Sequence, residues 1–84
     1  MTQQIIECEL HDYIEVACMY GYRVRLILKN EQIFEGKAKD IVTIAERREF
    51  LIIDYENGLK QVELIQLKKM QILTPNAQFK EVVF

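Results

Sequence analysis

Histidine occurs once in this chain, at position 11, and that scarcity removes most catalytic arrangements at the outset. With a single imidazole, no Ser–His–Asp or Cys–His set can be argued from spacing. Glycine is as scarce, three in 84 residues, and no glycine-rich phosphate loop can be written. Long apolar runs are missing too: nothing approaches the roughly 18 residues that a membrane span needs. No basic segment followed by an apolar run stands at the N-terminus, so no secretory leader is expected. Cysteine occurs twice, at positions 8 and 18, and one bridge is arithmetically possible. Without an export signal the expectation is a cytoplasmic chain with reduced thiols. Cys8, His11 and Cys18 offer three zinc ligands where a structural site wants four, usually as two close pairs. No metal, cofactor or enzymatic activity is expected.

Charge of one sign is missing from one end. Residues 1–22 hold Glu7, Glu9, Asp12 and Glu15 and no Lys or Arg, a local charge of −4. The remainder carries all 11 bases against nine acids, so the overall −2 conceals an acidic front and a mildly basic body. A net negative charge gives the whole molecule no attraction to nucleic acid. Half the residues are hydrophobic and 29% are charged, the balance of a folded chain and not a disordered one.

The expected fold is a single small domain over 1–84, mainly β with one N-terminal α-helix. A polar lead, Met1 to Glu7, contains Ile5 and Ile6 and reads as a strand or packed arm. From about residue 10 to 20, Leu10, Tyr13, Ile14, Ala17 and Tyr20 recur at helical spacing and form an apolar stripe. Gly21 is placed to end that helix in the left-handed cap position. Val24, Leu26 and Leu28 then alternate with Arg23, Arg25 and Lys29, the period of a half-buried strand. Asn30 suits the turn that follows, because it tolerates left-handed backbone. Ile33, Phe34 and Ala38 continue in a second, long strand. Gly36 within it marks a bend or close approach, as curling a short sheet into a barrel requires. Phe50-Leu51-Ile52-Ile53 is an unbroken apolar run expected to be covered on both faces. Asn57-Gly58 signals a second hairpin. Leu59, Val62 and Leu64 make a fourth strand, and Met70, Ile72 and Leu73 a fifth, ended by Pro75. The five strands fall within about 22–73, a small, strongly bent antiparallel barrel. The tail, 76–84, carries Phe79 and Val82 to Phe84 and is expected to pack back or pair with a sheet edge.

Two surfaces compete for a function. Projected around the helix, Asp12, Glu15 and Met19 fall together opposite the apolar stripe, an acidic face with an apolar contact inside it. Such a face fits a basic partner. On the strands, Arg23, Arg25, Lys37 and Lys39 alternate outward and could line an RNA-binding patch, with Tyr13, Tyr20 and Tyr22 as stacking platforms. Two of those tyrosines lie on the stripe expected to be buried, and the bases can pair across strands with Glu35 and its neighbours.

The segment Cys8-Glu9-Leu10-His11-Asp12-Tyr13-Ile14-Glu15-Val16-Ala17-Cys18 resembles the opening of the Rho-binding antiterminator family, also called Rof or YaeO. The likeness continues through Val24-x-Leu26-x-Leu28-Lys29, Gly36-Lys37-Ala38, Asp40 and Glu49-Phe50-Leu51. The resemblance implies an Sm-like fold, an N-terminal helix on a strongly bent five-stranded antiparallel barrel. It also implies a non-enzymatic inhibitor that binds the bacterial transcription termination factor Rho, blocks its primary RNA-binding site and suppresses termination. Acids of the first helix carry the contact in the family. The matching positions are Asp12 and Glu15, with Glu9 and Met19 beside them. The loop between the second and third strands is implicated as well, which brings in Glu46, Arg47 and Arg48 as secondary contacts. A second Sm-like motif is not recognisable near Ile65 to Ile72. That argues against the RNA-binding rings of true Sm-like proteins and for a monomer that does not itself hold nucleic acid. An Sm-like RNA-binding module using the basic strand face is the alternative.

Overall fold

The computed structural model describes the chain from residue 8 onward, with side chains from Leu10. The N-terminal lead with Ile5 and Ile6 lies outside the described residues. Helix α1, Cys8–Tyr20, packs chiefly against the second strand. Only Ile14 and Ala17 of its stripe are wholly buried, while Leu10, Val16 and Cys18 pack at the margins. Burying one isoleucine completely contributes about 1.5–3 kcal/mol, so Ile14 is the main anchor of the helix. The expected burial of Tyr13 and Tyr20 is corrected: they are 39% and 56% exposed. The helix meets the sheet along a narrow line, and the two rings lie on its flanks. Tyr13 stands edge-on to Phe79 at 4.9 Å, and Tyr20 stacks on Tyr22 at 5.6 Å. At the C-terminus the Tyr22 amide donates to the Ala17 carbonyl at 2.9 Å and that of Gly21 to Cys18 at 3.1 Å. Gly21 has φ +62, so the helix ends in the double bond of a Schellman cap, as its position in the sequence suggested.

Six antiparallel strands follow: β1 Arg23–Leu28, β2 Ile33–Ile44, β3 Arg48–Tyr55, β4 Gly58–Glu63, β5 Leu67–Ile72 and β6 Glu81–Val83. Their order across the sheet is β4-β3-β2-β1-β5-β6. Strand β2 is the hinge of this arrangement. Its first half, Ile33 to Lys37, pairs with β1, and from Lys37 to Ile44 it pairs with β3. A strand that changes partner midway must bend, and Gly36 sits where it does. A Cβ there would lie 1.8 Å from the backbone oxygen of Asp54, so only glycine lets β3 approach this closely. Three residues later a bulge skips Lys39, the register passing from Ala38↔Ile53 to Asp40↔Ile52.

Val24, Leu26 and Leu28 point into the core as their alternation predicted, joined by Leu51, Ile53, Val62, Leu64, Leu67 and Met70. Ile52 is 9% exposed, so β3 is covered on both faces as expected of its apolar run. The mainly β architecture with a single helix is the one the sequence predicts. The tail makes it six-stranded: β6 pairs with β5 through Met70↔Val82 and lays Val82 into the core. Among the described residues no ladder joins β4 to β6, so the bent sheet stays open at that seam. Turn chemistry also differs. Left-handed backbone in the first hairpin belongs to Glu31 (φ 72), while the Asn30 side chain accepts from the Gln32 amide at 3.0 Å. In the second hairpin Tyr55 faces Gly58, so Glu56 and Asn57 form the loop and Glu56 carries the positive φ. Leu59 is exposed, Leu64 lies in a 3-10 turn (Leu64–Gln66), and β5 ends at Ile72, before Leu73. No helix among the described residues is long and apolar enough to cross a membrane.

Candidate functional site

Because α1 is held by Ile14 and Ala17, the side of the helix opposite them is turned to solvent. Asp12 and Glu15 are exposed, and Met19, 73% exposed, lies one turn further along. The side chain of Glu9 lies outside the described residues. Asp12 makes no hydrogen bond or ion pair with any described residue. Among the described residues Glu15 has one side-chain partner, His11, whose Nδ1 is 3.6 Å from its Oε2. The other imidazole nitrogen, Nε2, lies 2.9 Å from Glu49 Oε2 at the start of β3. His11 therefore stands between two carboxylates and ties the first half of α1 to the strand beside it. Neither Asp12 nor Glu15 is turned inward, and neither is held by an arginine among the described residues.

The Glu49 contact brings the β2–β3 connection next to α1. That connection is a 3-10 turn, Ala45–Arg47, in which Glu46 and Arg47 both take left-handed backbone, φ 64 and 61. Both side chains are exposed. Arg48 is differently placed. Its guanidinium forks onto Glu63 at 3.0 and 3.1 Å and lies over the Phe50 ring at 5.2 Å. The hydrogen bond from Arg48 holds the Glu63 carboxyl below its ordinary value. Of the three loop residues, Arg48 is thus bound within its own chain.

Between α1 and β2 runs a shallow groove lined by Glu15, Cys18, Met19, Lys39, Asp40 and Ile41. Sequence reading did not single out Asp40 as a site residue. The bulge at Lys39 is the reason it matters: strict alternation after the buried Ala38 would have sent Asp40 inward, and the bulge leaves it exposed. Two consecutive polar residues, Lys39 and Asp40, between apolar Ala38 and Ile41 were the available signal. Cys18, half-buried in the same groove, has its thiol pushed up to about 11 by burial first, then by the charges of Asp40 and Glu15. It is a protonated packing group and not a nucleophile at neutral pH.

The basic strand face offers less. Arg25 is held by Glu35 across the ladder at 2.7 Å, and Lys39 by Asp54 at 3.6 Å. Tyr22 is buried, its hydroxyl accepting from the Gln78 amide at 3.0 Å, and gives no stacking surface. His11, Asp12 and Glu15 bring ligand atoms within 4.8 Å of one another, a spacing a cation could bridge. The imidazole is already engaged by Glu15 and Glu49, and a hard ion such as magnesium prefers a shell of oxygens.

A family model described as "Modulator of Rho-dependent transcription termination (ROF)" matches residues 5–84. Among solved structures, the chain is similar to YaeO bound to magnesium from Vibrio cholerae O395, with 25% identity, 99% of each chain covered and a TM-score of 0.79. No curated protein sequence matches significantly.

Proposed function

The chain belongs to the ROF family of modulators of Rho-dependent transcription termination, and from that membership we propose that it binds Rho through the acidic side of α1 and blocks the primary RNA-binding site. The family is one of regulators and not of catalysts, in keeping with a molecule that acts by occupying a surface. The observation that carries the proposal is the state of Asp12 and Glu15. Both carboxylates are exposed, and neither is neutralised by a lysine or arginine among the described residues. A surface that holds RNA does so with Lys and Arg aimed at phosphates. Two carboxylates on consecutive turns of a rigid helix offer those cations the same kind of partner, already positioned. Inhibition is then competitive, and termination is suppressed because Rho cannot load on the transcript. Met19 adds apolar contact beside the acids, with Glu9 as a further acid and Glu46 and Arg47 at the edge. In this reading the free chain is a cytoplasmic monomer.

The test is charge reversal. Losing one partner of a desolvated charge pair costs about 2–5 kcal/mol, so Asp12→Lys and Glu15→Lys should each weaken binding to purified Rho by at least about 30-fold. Their thermal unfolding should match wild type, because both positions are exposed. Wild-type affinity in both variants at low salt would remove α1 from the interface. The magnesium named with the Vibrio protein supplies a control. An ion on Asp12 and Glu15 would compete with Rho, so binding should weaken as magnesium chloride replaces sodium chloride at fixed ionic strength.

A further inference from the structure

We infer that Asp40 is a third acid of the docking face, and that with Glu15 and Met19 it forms a socket for one arginine or lysine side chain of Rho. The inference rests on the reading of α1 above and extends it from the helix to β2. The groove between these two elements is open, with Met19 and Ile41 giving apolar contact along it and a carboxylate from each element at its sides. Asp40 Oδ1 accepts from the amide of Ile41 at 2.8 Å, which fixes the side chain, and the carboxylate enters no ion pair among the described residues. Lys39, the cation that lines the groove, has its ammonium 3.6 Å from Asp54, an acid outside the groove. Cys18 lies in the same groove, its thiol raised first by burial and then by the charges of Asp40 and Glu15.

That combination selects its guest. Two carboxylates repel a phosphate, so the groove does not take RNA. Met19 and Ile41 supply no oxygen ligands, so it is a poor cage for a hard metal ion. A long apolar stem ending in a cation matches it, the stem lying on Met19 and Ile41 and the head between Glu15 and Asp40. The bulge at Lys39 is what makes this possible, by turning outward a carboxylate that regular alternation would have buried beside Ala38.

Titration of purified Rho with three variants tests the socket. Asp40→Asn keeps an oxygen for the Ile41 amide and removes only the charge, and it should weaken binding about fivefold or more. Asp40→Arg should weaken it more than about 30-fold, and Asp40→Glu should restore most of the affinity. Because Glu15 and Asp40 share one guest, Asp40→Asn combined with Glu15→Gln should cost less than the two single losses together. A readout without Rho checks the geometry: alkylation of Cys18, followed by peptide mapping, should shift to lower pH in Asp40→Asn. Bound Rho should protect Cys18 in the wild-type chain. If Asp40→Asn and Asp40→Arg bind as wild type while Asp12→Lys does not, the socket is wrong and the reading of α1 stands. If Asp12→Lys and Glu15→Lys also bind as wild type, both fall together. Cys18 alkylated as fast in the Rho complex as in the free chain would take the groove out of the interface and overturn the socket.

Discussion

Replacing Gly36 with alanine adds one methyl group at the bend of β2, and the structure says what that methyl meets. Its carbon would lie 1.8 Å from the carbonyl oxygen of Asp54 and 2.9 Å from the carbonyl carbon. Even a close carbon–oxygen contact needs about 3.3 Å, so the strands must part locally by about 1.5 Å. The obstacle is backbone, which cannot rotate aside as a side chain tip would. Overpacking of this kind costs about 1–3 kcal/mol, and each buried backbone bond it breaks costs a further ~1–3 kcal/mol. With one such bond broken the sum is about 2–6 kcal/mol, against a total stability of about 4–13 kcal/mol for 84 residues. Urea unfolding followed by circular dichroism measures it. At a slope of about 1–1.5 kcal/mol/M, the midpoint should fall by at least about 1.3 M. A fall of less than about 0.5 M would refute the claim that close approach at Gly36 shapes the sheet. Since α1 rests chiefly on β2, Rho binding by Gly36→Ala should track the folded fraction, unlike the charge reversals, which leave folding intact.

Three further outcomes follow from single contacts. Arg48 lowers the Glu63 carboxyl, so their pair contributes stability above the unfolded carboxylate's value and loses it as pH falls through the folded one; Glu63→Gln should flatten the acid side of the stability–pH profile. The Cys18 thiol is raised to about 11, so stability should begin to fall as pH passes the unfolded thiol's ordinary range and level off near 11. Cys18→Ala should abolish that fall in thermal melts taken across the alkaline range. Arg47 holds a left-handed backbone at φ 61, and Arg47→Gly should raise stability by about 0.5–1 kcal/mol in urea unfolding, since glycine adopts that conformation without the Cβ penalty.

Much of the fold was legible because local rules and tertiary demands agree along it. Ile14 and Ala17, the alternation of β1, Gly21 at the helix end and Gly36 at the bend are each where periodicity and glycine chemistry place them. What was missed has a common cause: it depends on partners remote in sequence. Tyr13 and Tyr20 sit on the helical stripe, yet the narrow contact with β2 leaves them on its flanks, against Phe79 and Tyr22. Glu31 and Glu56 take left-handed backbone because strand register set the loop boundaries one residue away from Asn30 and Gly58. The tail does pair with a sheet edge as expected, becoming β6; only the choice of β5 as its partner depended on residues remote in sequence. At the candidate site, helical projection was sufficient to turn Asp12, Glu15 and Met19 outward together. It could not supply Asp40, which a bulge in another element delivers to the same groove, nor the ties that engage His11 and Arg48 within the chain.

If the acidic side of α1 takes the place of RNA on Rho, this chain and a labelled C-rich RNA must exclude one another from purified Rho. Adding the chain should displace the RNA completely, with an apparent inhibition constant that rises linearly with the RNA present, and Asp12→Lys should need at least about 30-fold more protein. A ternary complex in which Rho holds the RNA and this chain together would contradict that exclusion.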